Sequence, residues 1–337
     1  MNTTLTAASS WIGALLLFVV AWDGASSASA AEANQRRKPV ILDTDIGDDI
    51  DDTWALGLLL KSPELDVKLV MGDYGKPDYR TKILAKFLQA AGRTDIPIGV
   101  GVPDNADAVG PQADWVKDYD LKSYPGKIHQ DGVGALIETV LASPEPVTIV
   151  AIGPLPNLAA ALKREPRIAE RAVFVGMHGS VRKGYDGSNT ISAEWNVRAD
   201  AKSCAAVFTA PWEMLITPLD TCGIVNLDGQ RYACVRDSQD VIAANIIANY
   251  RIWSTHKDKN NNVADHRSST LFDTVAVYLA ITQDLCQIER LGIRVTDDGF
   301  TRIDPAAKSI QVATQWKDLD GFRDFLVNRL TTTAGRP

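Results

Sequence analysis

Short apolar runs alternate along the chain with longer stretches whose apolar positions recur at helical spacing. The short runs predict buried strands at residues 39–42, 67–72, 96–100, 147–152, 172–176 and 213–217. The longer stretches predict helices at residues 79–91, 132–142, 158–164, 200–208, 241–255 and 271–282. This alternation is typical of an α/β fold with a mostly parallel open sheet flanked by helices, a Rossmann-like architecture. Residues 286–316 alternate apolar and polar positions, which predicts a small antiparallel C-terminal hairpin before a final helix.

No repeat or linker interrupts residues 38–330, so we expect them to form a single domain. Three long polar connections, at residues 103–130, 177–191 and 257–269, separate the predicted elements. Connections of this length in compact domains are usually functional. We therefore expect all three to border a binding or catalytic site.

The sequence DTDIGDDIDD at residues 43–52 carries six carboxylates between a predicted strand and an apolar helix. Ligands of open α/β sheets bind beyond the carboxyl ends of the strands, where this stretch lies. Carboxylates packed this closely repel one another by roughly a few kcal/mol, and a bound cation would hold them together. Oxygen ligands suit a hard cation, with Ca²⁺ favoured over Mg²⁺ when carboxylates are plentiful. The alternative is a solvated loop whose Asp51 and Asp52 stabilise the helix N-terminus.

Two other acidic motifs begin in a similar way. An EF-hand loop counted from Asp43 would need Gly at its sixth position and Glu at its twelfth, where this chain has Asp48 and Trp54, which excludes it. A phosphatase of the haloacid dehalogenase type also has two aspartates after its first strand. It would need a partner Lys, for which Lys163 and Lys202 are available, and a later acid pair that the sequence does not show.

The composition narrows the class of partner. The 337 residues carry a net charge of −7 and no extended basic cluster, which argues against nucleic acid. Residues 11–21 have the length of a signal-peptide core, and Ala28-Ser29-Ala30 supplies a cleavage site. We expect residues 1–30 to be a signal peptide and the protein to be exported, to the periplasm or outside the cell. The alternative is an uncleaved anchor that tethers the same domain to a membrane.

The four cysteines are Cys204, Cys222, Cys234 and Cys286. In an exported protein they permit two disulfides in any of three pairings. Their spacing matches no zinc site. Buried free thiols are the other possibility.

Four motifs follow one another in order: DTDIG with DDTWAL at residues 43–56, GPLPNL at 153–158, EWN at 194–196 and FDTVA at 272–276. Together they resemble the inosine-uridine preferring nucleoside hydrolase family over most of the chain. The resemblance implies the nucleoside hydrolase fold, Ca²⁺, and hydrolysis of the N-glycosidic bond of ribonucleosides. It also implies a homodimer or homotetramer.

The resemblance assigns a role to individual residues. The metal ligands would be the side chains of Asp45, Asp52 and Asp273 and the carbonyl of Pro156. The general base would be Asp51. The substrate ligands would be Glu194 and Asn196, with Asn189 as a weaker third. Asp73, which directly follows the predicted strand at 67–72, is a further substrate-binding candidate.

The chain departs from the family pattern at the acid pair. Many members have one residue between the glycine and the pair, whereas Asp48-Asp49-Ile50 intervenes here. Alignment from the helix makes Asp51 the base, and alignment from the strand makes it Asp49. Both stay candidates.

A second departure concerns the acid that protonates the leaving base. Several family members have a His before the late aspartate, where this chain has Phe272. His129 is our first candidate for a replacement, followed by His178 and His266, although a lone His in a loop is more often a surface residue. A protein that binds nucleosides but has lost turnover is therefore an alternative function.

Structural roles are the alternatives for other candidates. Glu194 and Asn196 could form a polar turn that caps a helix, and Asp273 could cap the helix that follows it. Trp195 and Trp253 could stack on a nucleobase or pack in the core.

Overall fold

The structure is a computed structural model that describes residues 1–4, 37–103, 109–259 and 262–332. The chain divides into two compact units, Met1–Arg36 and Arg37–Pro337, and the second carries every feature below. The signal core and cleavage site lie outside the described residues, so export stays a prediction. No helix in the described part of the chain has the length and apolarity needed to cross a membrane.

Ten strands and twelve α-helices form within the described residues. The strands are β1 (Lys38–Thr44), β2 (Leu65–Gly72), β3 (Ile98–Gly99), β4 (Ile128–His129), β5 (Val147–Ala151), β6 (Ala172–Met177), β7 (Glu213–Thr217), β8 (Cys286–Val295), β9 (Thr301–Ile303) and β10 (Ser309–Trp316). The helices are α1 (Asp51–Leu60), α2 (Pro77–Ala90), α3 (Ala113–Val116), α4 (Gly132–Ala142), α5 (Pro156–Arg164), α6 (Trp195–Ala199), α7 (Ala201–Thr209), α8 (Leu219–Cys222), α9 (Gly229–Arg236), α10 (Val241–Lys257), α11 (Thr274–Ile281) and α12 (Leu319–Thr331).

The strands form one sheet in the order β4-β3-β2-β1-β5-β6-β7-β10-β8-β9. Neighbouring strands from β4 to β10 are parallel, and β8 pairs antiparallel with both β10 and β9. The chain builds outward from β1 through β2, β3 and β4, and then returns to the other side of β1 as β5. The carboxyl ends of β1 and β5 therefore form the switch point where open α/β sheets bind ligands. Asp45 follows the first of these strands and Ile152 follows the second.

This mostly parallel sheet confirms the predicted fold class. The C-terminal part is more elaborate than the predicted hairpin, because β10 also pairs in parallel with β7 and so joins the main sheet. The strand predicted at 96–100 shortens to β3. The apolar pattern does not predict α3, α6, α8 or α9. The first three have four or five residues, too few to show a period, and α9 buries only Tyr232 and Val235.

Helix α1 is buried on all sides, with only Leu60 partly accessible. A helix that is apolar all round belongs in a core, and α10 and α11 pack directly against it. Gly57 permits this close approach, because a Cβ there would lie 2.5 Å from Ile246 Cδ1 on α10. The two acids in the first turn of α1 consequently stand on a rigidly packed element.

All four cysteines are free thiols, so the structure contains neither of the two disulfides that the sequence permits. Cys204, Cys222 and Cys286 are buried, and Cys234 is exposed.

Candidate active site

Three carboxylates converge beside the switch point. Asp51 and Asp52 lie in the first turn of α1, Asp273 directly precedes α11, and one oxygen of each lies within 4.8 Å of the other two. The backbone N–H of Asp273 donates to Asp51 Oδ2 at 3.2 Å, and Thr44 Oγ1 donates to Asp52 Oδ1. The fold thus joins acids more than 200 residues apart into one cluster, which we call the carboxylate triad.

Helix capping does not account for the triad. Ile50 is the N-cap of α1, and Asp273 makes no side-chain hydrogen bond as the N-cap of α11. All three side chains are buried, which excludes a solvated acidic loop for them. Burial, and after it the charge of neighbouring aspartates, raises the pKa of each triad carboxyl well above its usual value.

The loop between β1 and α1 is held through its backbone carbonyls. Three side chains from distant elements donate to it: Tyr79 Oη to Gly47 at 2.9 Å, Trp253 Nε1 to Asp48 at 3.0 Å and Gln112 Nε2 to Asp49 at 2.6 Å. Asp48 and Asp49, which belong to the segment that is longer here than in many family members, are therefore held in place by their backbone. Trp253 therefore supports the loop and does not line the cavity described below.

Arg80 of α2 holds the start of the same loop. Its buried guanidinium donates to the backbone oxygen of Asp45, to that of Ile46 at 2.9 Å and to Asp48 Oδ2 at 2.8 Å. Its Nε also donates to the carbonyls of Asp73 at 3.2 Å and Tyr74 at 2.9 Å. A single cation therefore fastens the ends of β1 and β2 together and partly offsets the negative charge of the acids.

A second layer of acids lies below the loop. Asp43 Oδ1 accepts from Asn157 Nδ2 at 2.7 Å. Burial raises the pKa of Asp43 and of Asp45 to about 7, and burial followed by repulsion from Asp43 raises that of Asp73 well above its usual value. Asp73 is buried in this layer and is not part of the cavity lining, so the structure does not bring it to the substrate candidates.

Glu194 combines a capping role with a place in the site. Its Oε1 accepts from the N–H of Asn196 at 2.7 Å, and its Oε2 accepts from Gly179 at 2.9 Å and Val197 at 3.2 Å. Burial raises the Glu194 pKa to about 7 despite these hydrogen bonds. Asn196 Nδ2 donates to the carbonyls of Ile152 at 3.1 Å and Met177, which leaves its amide oxygen available to a ligand.

One cavity brings the triad and these polar groups together. Its lining consists of Asp45, Asp48, Asp49, Asp51, Asp52, Ile152, Met177, Tyr185, Glu194, Trp195, Asn196, Phe272 and Asp273. Trp195 is 45% exposed and Tyr185 37%, so aromatic surface is available at the mouth. The sequence did not single out Ile152, Met177 or Tyr185, because apolar residues and a lone Tyr carry no motif.

Several predicted site residues lie away from this cavity. Pro156 begins α5, His129 ends β4, and neither lines it. Asn189 is exposed and accepts a hydrogen bond from Lys183 Nζ. In the segment after β5, Ile152 lines the cavity, whereas Pro156, the predicted carbonyl ligand, does not.

No histidine lines the cavity in the described residues, which include all four. His178 is buried, with Nε2 2.9 Å from the Gly153 carbonyl, and burial lowers its pKa to about 4. His266 is exposed after a short 3₁₀ turn. None of the three histidines that the sequence offers for the leaving-group acid therefore lines the cavity.

The donor set fits a hard divalent cation. The triad offers carboxylate oxygens only, and no Lys or Arg lines the cavity in the described residues. Two unit charges at the separation of the triad oxygens repel by roughly 3 kcal/mol in a protein environment. Such a set favours Ca²⁺ or Mg²⁺ over softer metals. Asp52 and Asp273 would hold the ion, with Asp45 beside them, and Asp51 would lie next to it.

Comparisons with known proteins agree with this geometry. Residues 40–324 match the family model described as inosine-uridine preferring nucleoside hydrolase. The chain is 27% identical over 301 residues to a probable uridine nucleosidase 2 of Arabidopsis thaliana, covering 84% of this chain and 90% of that protein. It is 28% identical over 318 residues to a pyrimidine-specific ribonucleoside hydrolase RihA of Salmonella arizonae, covering 87% and 98%. The fold matches that of a plant nucleoside hydrolase, the PpNRh1 enzyme, with a TM-score of 0.76, 23% identity and coverage of 88% and 100%.

Proposed function

Since this chain belongs to the inosine-uridine preferring nucleoside hydrolase family, we propose that it is a Ca²⁺-dependent hydrolase that splits ribonucleosides into ribose and a free nucleobase. The observation that carries the proposal is the buried triad at the sheet's switch point, which shares one cavity with Glu194 and Asn196. Membership of the nucleoside hydrolase family, over residues 40–324, excludes the haloacid dehalogenase type of phosphatase.

The cavity suits a furanose with its nucleobase at the mouth. Glu194 and the amide oxygen of Asn196 accept hydrogen bonds from ribose hydroxyls on one wall, while the acids of the β1–α1 loop face the anomeric carbon from the other. The aromatic rings of Tyr185, Trp195 and Phe272 offer apolar surface to a planar base. Holding the sugar between two polar walls supplies several kcal/mol of the barrier through orientation alone, as well-placed reactants generally do.

The acids also serve the chemistry. Cleavage of an N-glycosidic bond passes through an oxocarbenium-like sugar, whose positive charge nearby carboxylates stabilise. A bound Ca²⁺ would lower the pKa of a coordinated water. Asp51 accepts the proton of the attacking water, and Asp49 at the cavity rim is the second candidate for this role. Asp51 is held for this task by the backbone N–H of Asp273.

A nucleoside panel tests the proposal. Purified protein incubated with inosine, adenosine, guanosine, uridine and cytidine is expected to release ribose from at least one of them, as measured by a reducing-sugar assay. A chelator is expected to stop the release, and added Ca²⁺ to restore it more fully than added Mg²⁺. Binding of nucleosides by calorimetry without ribose release over long incubation would instead support the non-catalytic binding protein that Phe272 suggests.

The buried acids are expected to make the metal-free protein less stable as the pH rises. Their raised pKa values mean that the folded metal-free protein holds protons that the unfolded chain releases, so its free energy of unfolding falls as the pH rises from about 4 to 7. For one carboxyl the difference between folded and unfolded pKa corresponds to roughly 4 kcal/mol. Ca²⁺ binds the deprotonated carboxylates and reverses this loss. The rise in Tm on adding Ca²⁺ is therefore expected to be larger at about pH 7.5 than at about pH 5, as measured by thermal unfolding. An equal rise at both values contradicts this account.

A further inference from the structure

The departing nucleobase needs a partner for the electron pair it takes from the broken C–N bond. The position where family resemblance expects a histidine holds Phe272, whose side chain has no polar hydrogen. The acids of the lining are acceptors when a cation is bound, and both Glu194 oxygens already accept backbone N–H groups. The other donors that the described residues of the lining offer are the Tyr185 hydroxyl, the Trp195 indole and the Asn196 amide. Asn196 Nδ2 already donates to two backbone carbonyls. The phenol and the indole therefore remain for the leaving group.

Tyr185 covers the face where the histidine is missing. Its ring packs edge-on against Phe272, with the ring centroids 6.1 Å apart and an interplanar angle of 84°. The Tyr185 hydroxyl oxygen accepts a hydrogen bond from the backbone N–H of Trp195 at 2.9 Å. A phenol that accepts from this N–H keeps its own proton for donation to another group.

The loop around Tyr185 holds it in this place. Asp186 and Gly187 adopt left-handed backbone conformations, with φ of 55° and 73°. The N–H of Gly184 donates to Ser188 O at 2.9 Å, and the N–H of Ser188 donates to Tyr185 O at 3.1 Å, which closes the turn. Burial, followed by the neighbouring Glu194 carboxylate, raises the Tyr185 pKa, so the side chain stays neutral and protonated at physiological pH.

We propose that the Tyr185 hydroxyl donates a hydrogen bond to the departing nucleobase and replaces the absent histidine as its stabilising partner. The inference rests on the proposed function. The C1′–N bond breaks with its electron pair on the base, and the Tyr185 O–H hydrogen bond stabilises the charge that develops there. The attacking water supplies the hydroxyl to C1′ and its proton to a loop carboxylate, and the released base takes its final proton from solvent.

The test compares two leaving groups. Tyr185→Phe keeps the ring against Phe272 and removes only the hydroxyl. We expect it to lower kcat on the nucleosides that the wild type hydrolyses by about 100- to 1000-fold, the range for loss of one donor to a developing charge. Hydrolysis of 4-nitrophenyl β-D-ribofuranoside is expected to stay within about twofold of the wild type, since nitrophenolate is already a stable leaving group that needs little help from a donor. Tyr119→Phe, which removes a hydroxyl bonded to Gln89 outside the cavity, is the matched control and should leave both activities unchanged.

The outcomes separate the inference from the proposed function. Equal losses on both substrates, or no loss on nucleosides, overturn the role of Tyr185 while leaving the hydrolase intact. A higher KM with an unchanged kcat also overturns the proposal, because that result assigns Tyr185 to substrate binding. If the wild type hydrolyses neither substrate in the presence of Ca²⁺, the proposed function fails, and the inference fails with it.

Discussion

Replacing Asp52 with asparagine is expected to abolish metal binding and to lower nucleoside hydrolysis by a factor of about 10³ or more. Asparagine is nearly isosteric, and its Oδ1 still accepts from Thr44 Oγ1, so the first turn of α1 keeps its local hydrogen bond. What disappears is one of the three buried charges that face the ion. Calcium affinity is measured by calorimetry and activity by ribose release.

In the metal-free protein, the same substitution is expected to stabilise the fold. Removing one buried, mutually repelling carboxyl is expected to raise the Tm in the presence of a chelator, although Ca²⁺ no longer adds to it. Asp66→Asn, at an exposed carboxylate paired with Lys68, is the control and should change neither Tm nor affinity appreciably. Wild-type Ca²⁺ affinity in Asp52→Asn would falsify the assignment of the triad as the metal site.

Asp51→Asn is expected to separate rate from binding. If Asp51 is the base, this variant keeps much of its Ca²⁺ affinity through Asp52 and Asp273 but loses about 10²- to 10⁴-fold in kcat, the usual contribution of a general base. In the companion variant Asp49→Asn, kcat is expected to fall by far less. Both are assayed on the best nucleoside from the panel, with metal affinity measured on the same preparations.

Two results would contradict this assignment of the base. A large loss in Asp49→Asn with full activity in Asp51→Asn would give the role to the acid that alignment from the strand selects. If Asp51→Asn loses metal affinity as fully as Asp52→Asn, Asp51 is a ligand. Its place within 4.8 Å of Asp52 and Asp273 makes the measurement decisive, because sequence resemblance had assigned Asp45 to that set.

The sequence predicts which acidic side chains come together at the end of the sheet. Six carboxylates at the end of a strand and an aspartate before a late helix are strong local patterns, and the order of strands and helices implied a parallel sheet that brings such ends together. Asp51, Asp52, Asp273, Glu194 and Asn196 accordingly line one cavity. Asp51, Asp52 and Asp273 stand at the starts of helices that the apolar pattern predicts, whereas Glu194 and Asn196 stand at the start of α6, which it does not.

What the sequence could not predict depends on contacts between distant segments. Arg80, Tyr79, Gln112 and Trp253 bind the acidic loop through its carbonyls, and a backbone acceptor leaves no mark on the sequence of either partner. Tyr185 reaches the cavity from a loop with two left-handed residues, a path that no apolar period encodes.

Two candidates that lie away from the cavity, His129 and Asn189, share one feature. His129 and Asn189 were selected for residue type and for a position in or beside a long loop, but loop length does not specify direction. His129 is in a short edge strand and Asn189 pairs with Lys183 at the surface. Residues 104–108 and 260–261 of the long connections lie outside the described part of the chain.

The way in which the acidic loop is fastened has a consequence for protein engineering. Trp253 and Gln112 bind main-chain oxygens of the loop, which every amino acid possesses, so these two contacts do not depend on the side chains at positions 48 and 49. The Asp48 carboxylate is bound in addition by Arg80. A change of charge at either position is therefore expected to alter ion preference or rate while these two main-chain contacts stay in place. A shorter loop would reach fewer of these anchors, so the insertion that complicates alignment also makes the site adaptable.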